Sequence, residues 1–354
     1  MEKKAYNGIG VMSGTSLDGL DLAWCDFQEN EDGKWSYSIR EAVTIPYSES
    51  WKERLRTSME LSAFEYALLD VRLGEYIGDC INRWLQGREH PQFIASHGHT
   101  VFHRPDLHLT TQIGHGASIA ARTGILTVCD FRTTDVALGG QGAPLVPIGD
   151  ELLFGDYDAC LNLGGFSNIS FRKAGQRISF DVAPCNMALN LVASTVGMEY
   201  DQDGMLARRG QIIPSLLEEL NHLDYYRQQA PKSLGKEWFE STFLPILGKH
   251  ISEDRPEDLL QTLTEHLAMM IARSVPDEAA TMLTTGGGAL NCYLIERLRE
   301  HTNAQVILPD IEVIQYKEAL IFAFLGLLRL CNRNNCLKSV TGSEQDNCGG
   351  AIYA

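Results

Sequence analysis

No apolar run in this chain is long enough to cross a bilayer, which takes about 20 consecutive residues in a helix. Basic side chains are outnumbered: 30 Lys and Arg against 46 Asp and Glu leave a formal net charge of −16. That balance argues against a nucleic-acid partner, because phosphate backbones are held by positive patches. A disulfide framework is missing too. The nine cysteines are odd in number and scattered, so reduced, mostly buried thiols are expected. Cys331 and Cys336 have no histidine partner at zinc-ligand spacing, which leaves a metal knuckle unsupported. Low-complexity tracts are absent. The opening MEKKAYNGIG is basic but lacks an apolar core and a small-residue cleavage site. No signal peptide is expected, and the expected compartment is the cytoplasm.

What the chain does have is 354 residues, 44% hydrophobic, enough for two domains each with its own core. The most informative stretch is Gly8 to Phe27, GIGVMSGTSLDGLDLAWCDF. An apolar run enters a turn of small and polar residues and an alternating run leaves it, which reads as a β-hairpin. Its tip, Gly14, Thr15, Ser16, Leu17, Asp18 and Gly19, is rich in N–H groups and hydroxyls. Such a tip can cradle phosphate oxygens. Asp18, with Asp21 second, stands where the Mg²⁺ of a nucleotide needs a carboxylate. An ordinary polar hairpin loop is the other reading.

The design recurs. Asp158 to Phe171, DACLNLGGFSNISF, is again strand, Gly-Gly-x-Ser, strand, and offers Gly164, Gly165, Ser167 and Asn168 to a phosphate. A third glycine-rich turn, TTGGGALN from Thr284, follows an apolar run and precedes a helical pattern. Gly286, Gly287 and Gly288 there suit the sugar or α-phosphate of a nucleotide.

Between these turns the pattern alternates helix and strand, implying sheets with helices packed on them. Ser62-Ala63-Phe64-Glu65 is a capping box opening a helix to about Gln86, with Phe64, Leu68, Val71, Ile77, Ile81 and Trp84 as its apolar face. Strands are expected at Gln92–Ala95 and Ile125–Cys129, with a short helix Ala117–Arg122 between them. Further strands are expected at Ala159–Leu163, Ile169–Arg172 and Arg177–Phe180. Asn186 can cap a helix to about Val196. Glu257–Val275 reads as an amphipathic helix with one apolar stripe, and Asn291–Glu300 and Glu318–Leu330 as two more. The polar region Gln211–Arg255 reads as an insertion. The domain boundary is expected near Arg132, giving domains 1–132 and 133–354.

Four side-chain sets invite chemistry. Asp181 follows a strand and is either a turn aspartate or a carboxylate pointing into a cleft. His97, His99 and His103 form H-x-H-x3-H, which could bind a metal in an amidohydrolase barrel, though eight βα units cannot be found. Arg132 could pair with Asp130 or Asp135. Glu318 could be a helix N-terminal glutamate favoured by the macrodipole.

Three glycine turns in this order resemble the actin/hexokinase/Hsp70 superfamily of ATP-binding folds. The motifs MSGTSLDG, SHGHTVFHRP, DFRTTDVALGGQGAPLVP, NLGGFSNIS, FDVAPCN, TTGGGALN and EALIFAFLG make the likeness closer: the chain resembles the anhydro-N-acetylmuramic acid kinase family nearly end to end. That resemblance implies an α/β fold of two actin-like, RNase H-like domains around a central ATP cleft. It implies ATP and Mg²⁺ as cofactors and an anhydro-sugar as small-molecule substrate in cell-wall recycling, and it is compatible with a homodimer. It makes Asp181 the catalytic base, sets His97 as a hydrogen-bond donor to the sugar, and adds Arg132, Glu318 and Asn186 to the sugar site. Arg132 would face the lactyl carboxylate. The chain departs from the family at His99, where Gln is expected, at His115, where Asp is expected, and at Val182-Ala183-Pro184-Cys185, where Thr-Gly-Pro-Gly is expected. These bear on sugar choice. Two other functions fit the same superfamily: a sugar kinase acting on a free hydroxyl, and an ATPase switch of the Hsp70 type, for whose peptide-binding module the chain leaves no room.

Overall fold

An apolar run entering a glycine-rich turn and a second run leaving it produce, in the computed structural model, the first hairpin. The structure describes residues 4–14, 17–251 and 255–354; Thr15 and Ser16 lie outside the described residues. Strand β1, Lys4–Ser13, pairs antiparallel with β2, Gly19–Glu29, from Lys4 opposite Glu29 to Ser13 opposite Leu20. Strand β3, Trp35–Pro46, continues the meander beyond β2. On the other side of β1, β4 (Phe93–Ser96) runs parallel to it and β7 (Thr127–Cys129) parallel to β4. The strand Ala351–Tyr353 closes the edge antiparallel to β7. Between β4 and β7 a two-stranded ribbon, β5 (His99–Arg104) and β6 (Leu109–Ile113), stands apart from the sheet.

The second sheet repeats the plan. Strands β8 (Ala159–Leu163), β9 (Phe166–Lys173) and β10 (Gln176–Pro184) form an antiparallel meander. Strand β11 (Thr281–Thr285) runs parallel to β8, and β12 (Gln305–Ile307) parallel to β11. The orders β3-β2-β1-β4-β7 and β10-β9-β8-β11-β12 are the same topology twice. This is the duplicated α/β arrangement expected of an actin-like fold. It also excludes the eight-unit barrel that the histidine motif would need.

The chain divides into two units, residues 1–154 with 316–354, and residues 155–315. The boundary expected near Arg132 therefore falls later, and the last apolar helix belongs to the first unit rather than the second. That helix, Ile311–Leu330, has a non-helical residue at Tyr316 (φ −117°, ψ 15°), close to the point where the chain re-enters the first unit. Its docking depends on glycine. A Cβ on Gly10 of β1 would sit 1.8 Å from the Ala319 carbonyl oxygen and 2.9 Å from the Ala323 nitrogen. Both obstacles are backbone, so no rotamer change relieves them. Gly10→Ala should lower stability by at least about 2–3 kcal/mol, read as a lower urea midpoint; an unchanged midpoint would show that the helix can retreat.

Local signals also misplace some faces. The capping box at Ser62 and Glu65 is present, and the helix spans Ala63–Leu85. Its buried face is Leu69, Leu73, Ile77, Ile81 and Leu85, whereas Phe64 is 76% exposed and Val71 also faces water. The packing partners, not hydrophobicity alone, choose the stripe. The helix Pro256–Ser274 buries Gln261, Thr262, Thr264, Glu265 and His266 as well as its leucines, so it is covered all round. Part of that cover is the expected insertion, which has its own apolar cluster of Leu216, Leu220, Phe239, Phe243 and Leu247 against Leu259, Leu260 and Leu263. Among the described residues Gln261 Oε1 finds no hydrogen-bond partner, but Thr262 and Thr264 donate to the carbonyls of Asp258 and Leu260 (both 2.7 Å). Glu265 accepts from Arg297 (2.8 Å) and faces His301 (2.7 Å).

Candidate active site

In the first unit, Gly14 and Asp18 flank the tip of the β1–β2 hairpin, with Leu17 at φ 61°. Gly19 lies against β3, where a Cβ would come within 2.6 Å of the Ile45 carbonyl oxygen. Asp21 follows on β2, and its Oδ1 accepts from the Thr44 hydroxyl at 2.6 Å. Burial pushes the Asp21 carboxyl up, and the Asp18 charge adds to it. A half-buried carboxylate with a second carboxylate beside it is a donor pair that a hard divalent cation would relieve. Ser13, just before the tip, is held from beneath by a buried chain: the Tyr47 hydroxyl donates to Ser13 Oγ (2.8 Å), which meets His99 Nδ1 at 3.2 Å. His99, where the resemblance implies Gln, thus supports the hairpin. His115 packs its ring 5.8 Å from that of Tyr353.

Arg132 forms no ion pair with Asp130 or Asp135. Its Nε and Nη2 lie 3.0 and 2.9 Å from His97 Nε2, and Nη1 donates to the Gly142 carbonyl at 2.6 Å. Asp130 instead accepts from Thr133 (2.5 Å). Asp135 is fully buried, accepting from Cys336 (3.0 Å), Thr341 (2.8 Å), Asn347 (2.8 Å) and the Gly142 N–H (2.8 Å). These contacts tie the glycine-rich loop 139–142 to the C-terminal segment. Burial pulls the Arg132 guanidinium down to about 10, opposed by Glu318, and leaves it charged at neutral pH.

His97 is 5% exposed. Its Nδ1 lies 2.9 Å from the Gly98 carbonyl, which makes Nδ1 the protonated nitrogen and Nε2 the acceptor for Arg132. Burial and the Arg132 charge hold the ring well below its usual range, hence neutral. Both ring nitrogens are occupied within the protein, so the expected donation from His97 to a sugar is not available; it orients Arg132 instead. His103 meets Thr110 Oγ1 at 3.0 Å. Among the described residues no group of three or more His, Cys, Asp or Glu side chains could hold a metal ion. Glu318 sits two residues after the break at Tyr316. The residue as a whole is exposed, but its carboxyl is crowded by protein. Burial and the charge of Asp21 push its carboxyl up, while Arg132 and Lys317 pull it down.

In the second unit the expected residues gather around the end of β8. Gly164 and Gly165 make the turn to β9, and their carbonyls accept from the backbone N–H groups of Asn186 (3.1 Å), Cys185 (2.8 Å) and Met187 (3.2 Å). Asn186 is not the cap of the helix Asn186–Ser194 but its first residue; Cys185 precedes it without a side-chain cap. The Asn186 amide donates instead to the Leu163 carbonyl (3.1 Å). Gly286, at φ 84°, and Gly288 press onto the same spot: added Cβ atoms would fall 2.6 Å from Asn162 Oδ1 and 2.8 Å from Leu163 Cβ. Gly287 is exposed beside them. The two glycine turns and Asn186 form one surface.

Asp181 lies within β10, not after it. The register shifts between Asp181, opposite Asn168, and Ala183, opposite Ser167, so Val182 is a bulge, a device that re-aims a neighbouring side chain. Ser167 Oγ bridges this bulge, donating to the Ala183 carbonyl (3.0 Å) and accepting from its N–H (3.2 Å). It is therefore buried in the strand rather than offered to a phosphate. Asp181 Oδ2 accepts from the Leu234 N–H at 2.8 Å, and its main-chain oxygen accepts from the Tyr225 hydroxyl at 2.6 Å. Burial pushes the carboxyl up against the pull of the Leu234 bond. Tyr225 and Leu234 escape sequence reasoning, since their segment shows only polarity and prolines.

A family model described as anhydro-N-acetylmuramic acid kinase matches residues 6–354. The chain belongs to the anhydro-N-acetylmuramic acid kinase family. Members from Hydrogenovibrio crunogenus (35% identical, covering 98% of this chain and 97% of the relative) and Sulfurovum sp. (34%, all of both) are similar along their whole length. One from Saccharophagus degradans is 36% identical over 98% of each chain. Of the positions where the resemblance leads to a different expectation, His99 and Cys185 are buried and His115 is half-buried.

Proposed function

We propose that this chain is a kinase that opens the 1,6-anhydro ring of 1,6-anhydro-N-acetylmuramic acid and phosphorylates O6. ATP and water are consumed, and N-acetylmuramic acid 6-phosphate and ADP are produced, in recycling of cell-wall sugars. The observation that carries the reading is family membership along residues 6–354, with the Asp181 carboxylate presented at a bulge in β10.

The bridging O6 has no proton to remove. Asp181 takes a proton from water, which attacks C1; the C1–O6 bond breaks, and O6 accepts the γ-phosphoryl group. Arg132, aimed by His97, would hold the lactyl carboxylate, a planar target for guanidinium. Glu318 and Asn186 would contact sugar hydroxyls. Gly14 to Gly19, Gly164, Gly165, Asn168 and Gly286 to Gly288 would hold the nucleotide. Asp18 and Asp21 would hold Mg²⁺ directly or through water, which when bound supplies charge neutralisation at the phosphates. We place the reaction in the cytoplasm, where ATP is supplied; the nine free cysteines support a reducing compartment. The net charge of −16 supports a partner list without nucleic acid. Among the described residues no helix is long and apolar enough to cross a membrane.

The test is a reaction in ¹⁸O-water, read early. Label is expected on the anomeric oxygen of an α-anomeric product, with the phosphoryl group unlabelled. Label in the phosphoryl group, or robust phosphorylation of glucose or plain N-acetylmuramic acid, would overturn the substrate assignment.

A further inference from the structure

Strand β10 is at the edge of its sheet, so the outward backbone groups near Asp181 have no strand partner. The segment 225–234 supplies one. The Asp181 N–H donates to the Lys232 carbonyl (3.3 Å), and the Asp181 carbonyl accepts from the Tyr225 hydroxyl (2.6 Å). The Leu234 N–H reaches past the backbone to Oδ2 (2.8 Å). The segment is closed on itself: Lys232 Nζ donates to the Tyr225 carbonyl (3.3 Å) and lies 4.6 Å from the Tyr225 ring and 5.5 Å from the Phe180 ring. Tyr225 in turn packs 5.4 Å from Trp238. A side chain on an edge strand beside a bulge would otherwise sample several rotamers.

We propose that Tyr225 and the main chain of Lys232 and Leu234 form a strap that positions the Asp181 carboxylate, tying Oδ2 and presenting Oδ1 as the oxygen that takes the proton from water. This rests on Asp181 being the base. Tyr225 and Lys232 are the titratable groups facing Asp181 from the strap, and uncharged Asn168 opposes it from β9. The strap residues are positioning residues. They touch the base, not the reacting atoms.

Tyr225→Phe removes one hydroxyl and keeps the ring. Kinetics of ADP release with the anhydro-sugar across pH, beside Asp181→Asn, test the proposal. Tyr225→Phe is expected to lower kcat on the order of tenfold with KM within about twofold, the signature of lost orientation. The acid limb of the profile should move up, because a slackened strap weakens the Leu234 bond that favours the ionised carboxylate. Lys232→Met should do the same more weakly, and carries the test if Tyr225→Phe melts early. Wild-type kcat and an unmoved acid limb in both variants, with Asp181→Asn inactive, overturn the strap alone. An active Asp181→Asn overturns the base assignment and the strap with it.

Discussion

Asp181→Asn is expected to reduce kcat by 10²–10⁴-fold, the usual worth of a general base, while nucleotide affinity stays close to wild type. The substitution preserves shape and removes the acceptor proposed for the water proton. The glycines at 164–165 and 286–288, which we propose hold the nucleotide, lie against Leu163 and Asn186, independently of the Asp181 side chain. Burial raises the Asp181 carboxyl, so the acid limb of wild-type kcat/KM should lie above the ordinary aspartate value of about 3.9. Steady-state kinetics with nucleotide titration check both parts. Retention of more than about a tenth of kcat would remove Asp181 from the base role.

Asp135→Ala is expected to destabilise the fold by about 3–5 kcal/mol, the range for breaking a buried charged network by removing one partner. It would leave the Cys336 thiol, the Thr341 hydroxyl, the Asn347 amide and the Gly142 N–H without their shared acceptor. Burial pushes this carboxyl up, but the four donors outweigh it and hold it below the usual range. A depressed folded value makes its stabilisation fully present above the unfolded value of about 3.9 and lost as pH falls through the folded one. The gap between wild type and Asp135→Ala in chemical denaturation should therefore be widest near neutrality and close in acid. A gap that stays constant with pH would mean that packing rather than charge is responsible.

The hairpins and glycine turns were legible because turn chemistry is local: Gly164-Gly165 between apolar runs admits few other folds. The repeated sheet order follows from them. Contacts made across long stretches of chain were not legible. Nothing near Tyr225 announces a hydroxyl bonded to Asp181, and nothing near Arg132 distinguishes His97 from Asp130 or Asp135 as its partner. The apolar face of the helix Ala63–Leu85 does not follow from hydrophobicity, because Phe64 and Val71 are apolar yet unopposed, and Asn186 has an N-cap composition but a better partner in Leu163. Ser167 has the composition of a phosphate ligand for the same reason, but the bulge at Val182 needs its hydroxyl.

The path of the chain sets an order of synthesis. Residues 155–315 form an uninterrupted unit, whereas the first unit waits for residues 316–354 to supply the helix against Gly10, the edge strand Ala351–Tyr353 and the donors around Asp135. On a ribosome the second unit can finish while the first still lacks a helix and an edge strand, although the first began earlier. Until then Gly10 faces no helix and the β7 edge stands open, a template for unwanted pairing. Chaperone dependence of a nascent chain should therefore concentrate on residues 1–154 and end only as the last residues emerge.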